Sequence, residues 1–573
     1  MVFAKQTKSR ARIGLPAFCC VWAGLLTTAS GQTTWTSATS GAWNTGTNWS
    51  PSTVPVNITD VGISATGGAY TVTLSGATGT ARTLTLNSAN ANLSISNTYL
   101  YLYGNGATST FSAGSVTLAN SNIEITSSAS GHTLDNSATI NSISGSNYIY
   151  SNGSSGNAMT FYNSGTINVT GGYLYLGNNA YDSVTNALGS TITANAGTLV
   201  FGNNSASWSN QGTLYATNGG TVTLGNSTWA GAGTLTADTG GTINLGGTFT
   251  IAALGASTIN GSGGTINITG TLNNASTALT HPASGIYTLG GGTINNGTVD
   301  NTSTAALTFG NLGGTLNGVS MTGNFTVPSS ATFKTENGAA FSAGTTTFAG
   351  NYVYLIGSSG TALTIGSTGA WTGNVQVQAQ VANLGFVNNG SLTNSSGNNY
   401  IYGGTYSGFT FTNSGSVSAT GGYLTIGNAG NDLVTNNSGG TITASGGGAI
   451  TLGYNGGDTI TNSLGATLEA TGAGSSLTLG NGTTTWTNSG NIYATNSGTV
   501  NLAGTYSTSN LTSGTINSDT GGVVNLGGTL DNTSSIITHP TSGIYTLGGA
   551  TITGGRSTTR QPQRSPSATL EAP

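Results

Sequence analysis

Residues 161–177, 184–202 and 208–225 read FYNSGTINVTGGYLYLG, VTNALGSTITANAGTLVFG and WSNQGTLYATNGGTVTLG, which are three versions of one pattern. The pattern continues in WAGAGTLTADTGGTINLG (229–246) and IAALGASTINGSGGTINITG (251–270). The second glycine of each unit lies at Gly172, Gly197, Gly220, Gly241 and Gly264, so the spacings are 25, 23, 21 and 23 residues. A repeat of this length is typical of a solenoid, because one unit cannot bury its apolar face alone and stacks on its neighbours.

Apolar and polar residues alternate with period two inside each unit, which indicates short β-strands. The last strand of each unit supplies two inward columns, Leu174, Leu199, Val222, Ile243 and Ile266, and Leu176, Phe201, Leu224, Leu245 and Ile268. The preceding strand adds a third column, Ile167, Ile192, Leu214, Leu235 and Ile259. The sequence therefore predicts an all-β fold, a right-handed parallel β-helix (β-solenoid) with coils of about 21–26 residues.

Charged residues are rare in this chain. Lys and Arg number 9 and Asp and Glu 13, so charged residues make up 4% of the 573, against about 25% in an ordinary globular protein. Stacking explains the deficit, because equivalent side chains of successive coils lie roughly 4.8 Å apart and a repeated charge costs on the order of 1 kcal/mol per neighbour. Neutral asparagines avoid that cost and can bond along the stack, as expected for Asn163, Asn186 and Asn210 and for Asn413, Asn436, Asn462 and Asn488. With no basic stripe, a nucleic-acid partner is disfavoured.

A second level of duplication divides the chain. The stretch TLNNASTALTHPASGIYTLGG (271–291) recurs as TLDNTSSIITHPTSGIYTLGG (529–549). We expect a Trp-rich amino-terminal cap over 32–75, a first solenoid module over 76–310 and a second over 311–553. The tail 554–573 is basic and contains proline, so we expect it to be disordered, and its abrupt change of composition suggests a truncated gene product.

Residues 1–31 have the pattern of a signal peptide. A cationic stretch ends at Arg12, an apolar run follows from Leu15 to Leu26, and small residues lead to Gly31. Both cysteines, Cys19 and Cys20, lie inside this segment, so the mature chain is expected to hold no thiol, and no later stretch is long enough to span a membrane as a helix. The protein is therefore expected to be secreted, or to be extracellular or at the cell surface.

The repeated unit N-x-G-T-[IL]-x-A-x-G-G-T-[IL]-x-L-G and the opening W-x5-G-x-W-x5-W-x5-P, from Trp35 to Pro55, resemble the passenger regions of bacterial autotransporter-like proteins and related secreted β-strand-repeat proteins. The resemblance covers about residues 35–553. It implies export, a location at the bacterial outer membrane or outside the cell, and an adhesin-like or structural role. We expect no carboxy-terminal barrel like that of a complete autotransporter, because the many alternating strands of such a barrel are not evident in this sequence, and its anchoring is left open.

Enzymatic chemistry finds little support in the sequence. The alternative function, a polysaccharide lyase or glycosidase built on a β-helix, needs clustered carboxylates. A recurring D-x-[VI]-T-N places Asp182, Asp432 and Asp458 in equivalent positions, and the last two could form a glycosidase pair or bind calcium weakly. A turn aspartate that bonds its own backbone is the favoured interpretation. We therefore predict a non-enzyme with no catalytic residue, no metal and no cofactor.

The histidines do not indicate a catalytic or metal-binding site. His281 and His539 occupy the same place in the duplicated T-H-P-x-S-G-I-Y-T-L-G-G, and His132 stands alone. Duplication explains the first two without any catalytic role, and no cysteine or second nearby histidine completes a metal site.

Pairs of tyrosines are the best candidates for a ligand surface. Alternate residues of a strand share one face, so each pair projects together and could stack on sugar rings or on a host or neighbour-cell surface. The pairs are Tyr101 and Tyr103, Tyr148 and Tyr150, Tyr173 and Tyr175, Tyr352 and Tyr354, and Tyr400 and Tyr402. The competing interpretation is that tyrosine simply fills a sheet surface. Ice binding is a remote alternative, because only Thr221 and Thr223 form an outward Thr-x-Thr among the five aligned coils. The oligomeric state is left open.

Overall fold

The structure is a computed structural model that describes residues 31–126, 131–153, 159–204, 206–275, 277–519, 521–533, 536–538, 540 and 542–557. The fold is all-β, with 55% strand and 3% helix, and its parallel sheets stack as a β-solenoid of about 21 turns. The predicted parallel β-solenoid is confirmed. At roughly 4.8 Å per coil the rod is about 100 Å long. The predicted signal peptide, apart from Gly31, lies outside the described residues together with both cysteines, His539 and the tail from residue 558.

Each coil contributes strands to three ladders of parallel hydrogen bonds, which we call ladders 1, 2 and 3 in the order the chain visits them. Ladder 1 contains Gln32–Trp35, Asp60–Ile63, Thr83–Leu86, Thr108–Phe111, His132–Asn136, Met159–Asn163, Ser183–Asn186, Ser207–Asn210, Thr248–Thr250, Thr271–Asn273, Thr293–Asn295, Gly314–Asn317, Thr332–Glu336, Asn398–Tyr402, Tyr423–Ile426, Ala449–Leu452, Ser476–Leu479, Thr499–Leu502, Val523–Leu526 and Tyr545–Leu547. Between Ser207–Asn210 and Thr248–Thr250 it continues through Thr228.

Ladder 2 contains Gly41–Ala42, Tyr70–Ser75, Ala91–Ser96, Ser115–Ala119, Thr139–Ser144, Thr166–Val169, Thr191–Asn195, Thr213–Thr217, Thr234–Ala237, Thr258–Asn260, Ala278–Leu279, Thr298–Asn301, Ser320–Gly323, Gly385–Asn388, Thr410–Asn413, Leu433–Asn436, Thr459–Asn462, Thr485–Asn488, Thr505–Ser507, Thr529–Asp531 and Thr551–Thr553. Ladder 3 contains Gly79–Ala81, Tyr99–Leu102, Asn122–Ile125, Ser146–Ser151, Tyr173–Leu176, Thr198–Phe201, Thr221–Leu224, Thr242–Leu245, Thr265–Ile268, Tyr287–Leu289, Leu307–Phe309, Phe325–Val327, Ser391–Asn394, Ser416–Ala419, Thr441–Ala444, Thr467–Thr471, Asn491–Thr495 and Thr515–Ser518. Strand pairing is interrupted in ladder 2 between Thr258–Asn260 and Ala278–Leu279, and in ladder 3 between Leu307–Phe309 and Phe325–Val327. Ile536–Ile537 and Arg556–Ser557 form a separate two-stranded sheet.

Two long strands cross all three ladders. Ala340–Leu355 and Ala362–Ala379 each begin on ladder 2, pass through ladder 3 and end on ladder 1. The remaining elements are short: the strand Trp49–Ser50, the 3-10 helix Gly46–Asn48, and the α-helices Ile251–Gly255 and Thr508–Thr512, which occupy equivalent places in the two halves of the rod.

The core is the inside of this tube. All three aligned apolar columns are buried as predicted, with Leu174, Leu199 and Ile243 fully inaccessible to solvent. At the amino-terminal end, Trp35, Trp43 and Trp49 pack edge to face, with ring centroids 4.9 and 5.0 Å apart. Trp49–Ser50 pairs antiparallel with Gln32–Trp35, and the tryptophans cover the apolar end of the first coil.

Two rows of buried, hydrogen-bonded asparagines, which we call asparagine ladders to distinguish them from the strand ladders, run along the rod. In the first, Asn136, Asn163, Asn186 and Asn210 each donate from Nδ2 to Oδ1 of the next, over 2.7, 2.8 and 2.7 Å. In the second, Asn388, Asn413, Asn436, Asn462 and Asn488 do the same over 2.7, 2.8, 3.0 and 2.7 Å. Oδ1 of Asn136 and Asn388 and Nδ2 of Asn488 lack a partner because they are the ends of these chains. The predicted asparagine stacking is confirmed.

The second half of the rod is out of phase with the first by one ladder. In the first half, the strands that end in one of these stacked asparagines belong to strand ladder 1, as Met159–Asn163 does. In the second half they belong to strand ladder 2, as Thr410–Asn413 does. The helix Ile251–Gly255 likewise follows a ladder 1 strand, whereas Thr508–Thr512 follows a ladder 2 strand. Equivalent surfaces of the two halves therefore belong to different ladders.

Candidate functional site

The tyrosines predicted from the sequence gather into two patches. The first tyrosine patch lies on ladder 3 across four successive coils and contains Tyr99, Tyr101, Tyr103, Asn122, Glu124, Tyr148, Tyr150, Tyr173 and Tyr175. Tyr99, Asn122, Tyr148 and Tyr175 lie opposite one another in register, and Tyr101, Glu124 and Tyr150 form the row beside them. Outward side chains stand in such rows because every second residue of a strand faces solvent and adjacent coils are in register.

The rings of the first patch stack mainly on each other. Tyr148 and Tyr175 have centroids 4.5 Å apart and planes within 9°, and Tyr173 lies 5.8 Å from Tyr175 with planes within 11°. Stacked neighbours cover each other's faces, so this surface presents phenol hydroxyls and the free faces at the ends of the stacks. Tyr173, at one such end, is 46% exposed, and Tyr99 is 39% exposed.

Glu124 lies at the centre of the first patch. Tyr150 Oη donates a hydrogen bond to Oε2 and Asn152 Nδ2 donates to Oε1, each over 2.6 Å. Burial, followed by the hydrogen bond to Glu124, raises the pKa of Tyr150. Burial and the charge of Glu124 raise the pKa of Tyr101, and burial and neighbouring tyrosines raise that of Tyr175. These hydroxyls therefore remain protonated, and able to donate hydrogen bonds, throughout the neutral range.

The second tyrosine patch lies on ladder 1 and contains Tyr352, Tyr354, Gln376, Gln378, Tyr400, Tyr402 and Tyr423. Tyr352 and Tyr354 lie opposite Gln376 and Gln378, and Gln378 lies opposite Tyr402. Burial, followed by the neighbouring tyrosines, raises the pKa of Tyr402.

The second patch repeats the first, coil for coil. The first patch begins with a stretch that carries three tyrosines and the second with a stretch that carries two. In both patches a strand with two polar residues follows, then the sequence NYIY, then the sequence GGYL. Tyr99 and Tyr352 occupy the same place in this order, as do Tyr173 and Tyr423, and Gln378 takes the place of Glu124. The spacing of tyrosines alone did not reveal Tyr99, Tyr423 or Glu124. Aligning the two NYIY copies at 147–150 and 399–402 gives the signal that would have found them.

The aspartates considered as catalytic candidates lie inside the wall of the rod. Asp432 and Asp458 are 0% exposed. Asp432 Oδ2 accepts from the backbone amides of Gly403 in the preceding coil (3.2 Å) and of Ala429 (3.3 Å). The Asp432 amide donates to Asp458 Oδ1 in the next coil over 2.9 Å. Asp182 is bonded in the same way to Ser151, so these carboxyl groups hold neighbouring coils together.

Burial governs the ionisation of these carboxyl groups. It raises the pKa of Asp432 to about 7, with the nearby Asp458 carboxylate as a further cause, and it raises the pKa of Asp458 to about 6. Burial also raises the pKa of Asp182. Because no part of either the Asp432 or the Asp458 side chain is exposed, a polysaccharide on the outside of the rod does not reach them.

The histidines have separate surroundings. His132 is buried, with Nδ1 2.9 Å from the Gly104 carbonyl oxygen and Nε2 2.9 Å from Ser109 Oγ, and burial lowers its pKa. His281 is exposed and lines a cavity of about 220 Å³ beside the helix Ile251–Gly255. Within the described ranges, no three His, Cys, Asp or Glu residues are placed to hold a metal ion. No helix of the described residues is both long and apolar enough to cross a membrane.

Comparison of the chain with protein-family models, with curated proteins and with solved structures found no match.

Proposed function

We propose that the protein is an exported, non-enzymatic rod of adhesin-like or structural role, comparable to an autotransporter passenger, that binds neutral polysaccharide on cell surfaces. The observation that carries the proposal is the repetition of the tyrosine patch, in the same order of coils, in both halves of the rod. Both copies of the duplicated module keep tyrosine at five corresponding outward positions and a polar side chain at two more, whereas Tyr175 corresponds to Thr425.

The chemistry of the patches favours an uncharged partner. Charged residues make up 4% of the chain, and the second patch carries glutamines where the first carries Asn122 and Glu124. Sugar hydroxyls match the rows of phenol and amide groups, and sugar rings match the free faces of Tyr173 and Tyr423, which are 46% and 63% exposed. The absence of a basic stripe gives no attraction for nucleic acid.

The test is affinity electrophoresis and calorimetry of the full chain with xyloglucan, β-1,3-glucan, mannan and dextran. We expect binding without release of reducing ends. Tyr99→Ser, Tyr173→Ser, Tyr352→Ser and Tyr423→Ser combined should weaken binding at least tenfold, since each exposed ring at such a contact contributes about 1 kcal/mol. Tyr454→Ser, an equally exposed tyrosine (51%) outside both patches, is the matched control. Equal loss in the control would contradict the proposal, and turnover abolished by Asp432→Asn would favour the glycosidase or lyase.

Ice binding remains a second candidate because of one surface. On ladder 2 of the second half, outward Thr-x-Thr occurs at 410 and 412, 459 and 461, 485 and 487, and 551 and 553. The array is interrupted by Leu433, Ser507 and Asp531. Inhibition of ice recrystallisation that is lost in Thr461→Tyr, but kept in Thr443→Tyr on ladder 3, would support this candidate. No inhibition by the wild-type chain rules it out.

A further inference from the structure

The two tyrosine patches lie on different ladders. Ladder 3, which carries the first patch, passes through Thr242–Leu245, and ladder 1, which carries the second, passes through Thr248–Thr250 of the same coil. From that coil, ladder 1 can be followed strand by strand through Thr293–Asn295 and Gly314–Asn317 to Tyr352. The turn at Gly246 and Gly247 separates the two ladders, so the patches do not form one row.

The patches are also far apart along the rod. About eleven coils separate their centres, which at roughly 4.8 Å per coil is about 53 Å. A straight polysaccharide chain that follows ladder 3 across the first patch continues along Val200, Thr223 and Asn244, where no tyrosine stands. It leaves the second patch uncovered.

We infer that the two tyrosine patches are independent sites for separate polysaccharide chains, so that one rod cross-links two chains or two surfaces. This inference rests on the proposed function and goes further, because it assigns one chain to each patch. The one-ladder phase shift between the halves is its structural cause: with the halves in phase, both patches would lie on ladder 3 and a single chain could follow them. The rod wall between them comprises about seven coils, and ladder 1 joins those from Thr248–Thr250 to Tyr352 without interruption, so the wall sets the separation of the two sites.

The test uses latex beads coated with xyloglucan, β-1,3-glucan, mannan or dextran and the full-length rod. Variant A carries Tyr99→Ser and Tyr173→Ser in the first patch, and variant B carries Tyr352→Ser and Tyr423→Ser in the second. These positions correspond between the patches, and their side chains are 39–63% exposed, so the variants should fold. Circular dichroism melting confirms this for each, and Tyr454→Ser again serves as the control.

We expect the wild-type rod and the control to aggregate beads of the polysaccharide they bind. Variants A and B should each still bind those beads, with about half the sites per rod, but aggregate them at least tenfold less. The combination of A and B should lose binding. Aggregation at the wild-type level by A or by B would overturn the inference while leaving the proposed function intact. Binding of none of the four polysaccharides by the wild-type rod would overturn both.

Discussion

Burial of Asp432 and Asp458 makes the stability of the second half of the rod depend on pH. Their pKa values rise from the ordinary 3.8 to about 7 and about 6, so the folded state holds these protons more tightly than the unfolded state. Stability from this source is complete below about pH 4 and is lost as the pH rises through the folded values, that is, between about pH 4 and pH 8. At 1.36 kcal/mol per pKa unit, the loss is about 4 kcal/mol for Asp432 and about 3 kcal/mol for Asp458, and the two are coupled and do not simply add.

Asp432→Asn removes the charge and keeps an oxygen for the amides of Gly403 and Ala429. We expect the variant to be more stable than the wild type by about 2 kcal/mol at pH 5 and by about 4 kcal/mol at pH 8, because at pH 5 the carboxyl group of the unfolded wild type is already ionised. Urea unfolding followed by circular dichroism measures the midpoints, and hydrogen exchange of peptides from 398–462 locates the effect in the coils around the carboxyl group. Comparing variant with wild type at each pH cancels other titrations, including that of His132, whose lowered pKa acts in the opposite direction.

The exposed Asp531 provides the control. Its pKa is lowered by hydrogen bonds from Thr533, so its contribution is present above the ordinary value and lost only at acid pH. Asp531→Asn should therefore leave the difference between pH 5 and pH 8 unchanged. Destabilisation of Asp432→Asn by the same amount at pH 5 and pH 8 would refute the argument, because it would mean that the hydrogen bonds of the carboxyl group, and not its burial, decide its contribution.

Three further predictions concern the turns, the asparagine ladder and the phenols. Gly172→Ala should destabilise the rod by about 3 kcal/mol, because the new Cβ would lie 2.0 Å from the Gly145 carbonyl oxygen at a φ of +62°; Gly189→Ala, with φ +84° and open space, should cost about 1 kcal/mol, and equal thermal shifts would contradict this. Asn436→Ala, inside its ladder, should cost about 3 kcal/mol in urea unfolding, whereas Asn488→Ala, at the ladder end, should cost about 1 kcal/mol; the reverse order would be inconsistent with the chain of amides. Tyr150→Phe should leave the number of phenols ionised at about pH 11 unchanged in absorbance titration, since the raised pKa of Tyr150 keeps it protonated there; a drop of one phenol would show otherwise.

The regular part of the fold follows from the sequence. Period-two alternation placed Leu174, Leu199 and Ile243 inside, and the structure buries all three completely. The stacking of turn asparagines also followed, because a neutral amide carries both a donor and an acceptor and can bond to its copy in the next coil. Both predictions depend only on local periodicity, which the sequence displays directly.

The phase shift between the halves could not be predicted in this way. The strands are hardest to count around Ala340–Leu355 and Ala362–Ala379, which pass through three ladders with only short bends at glycines such as Gly350 and Gly373. Counting strands there from the sequence is ambiguous, and an error of one strand changes the ladder of every residue that follows. The mutual stacking of Tyr148 and Tyr175 was missed for another reason, because alternation gives the side of the strand and not the side-chain torsions.

The phase shift shows that the distance between the two tyrosine patches and their relative orientation around the rod axis can be changed independently. A coil comprises three strands, so inserting a whole coil between the halves increases the distance between the two tyrosine patches without rotating one relative to the other around the rod axis. Inserting a single strand with its turn rotates the second tyrosine patch by about a third of a turn around the rod axis and hardly changes its distance from the first patch. The distance between the patches and their relative orientation about the rod axis are thus set by different insertions into the same stretch of the chain. Rods of this kind with different numbers of coils would hold their patches at many distances but at only three relative orientations.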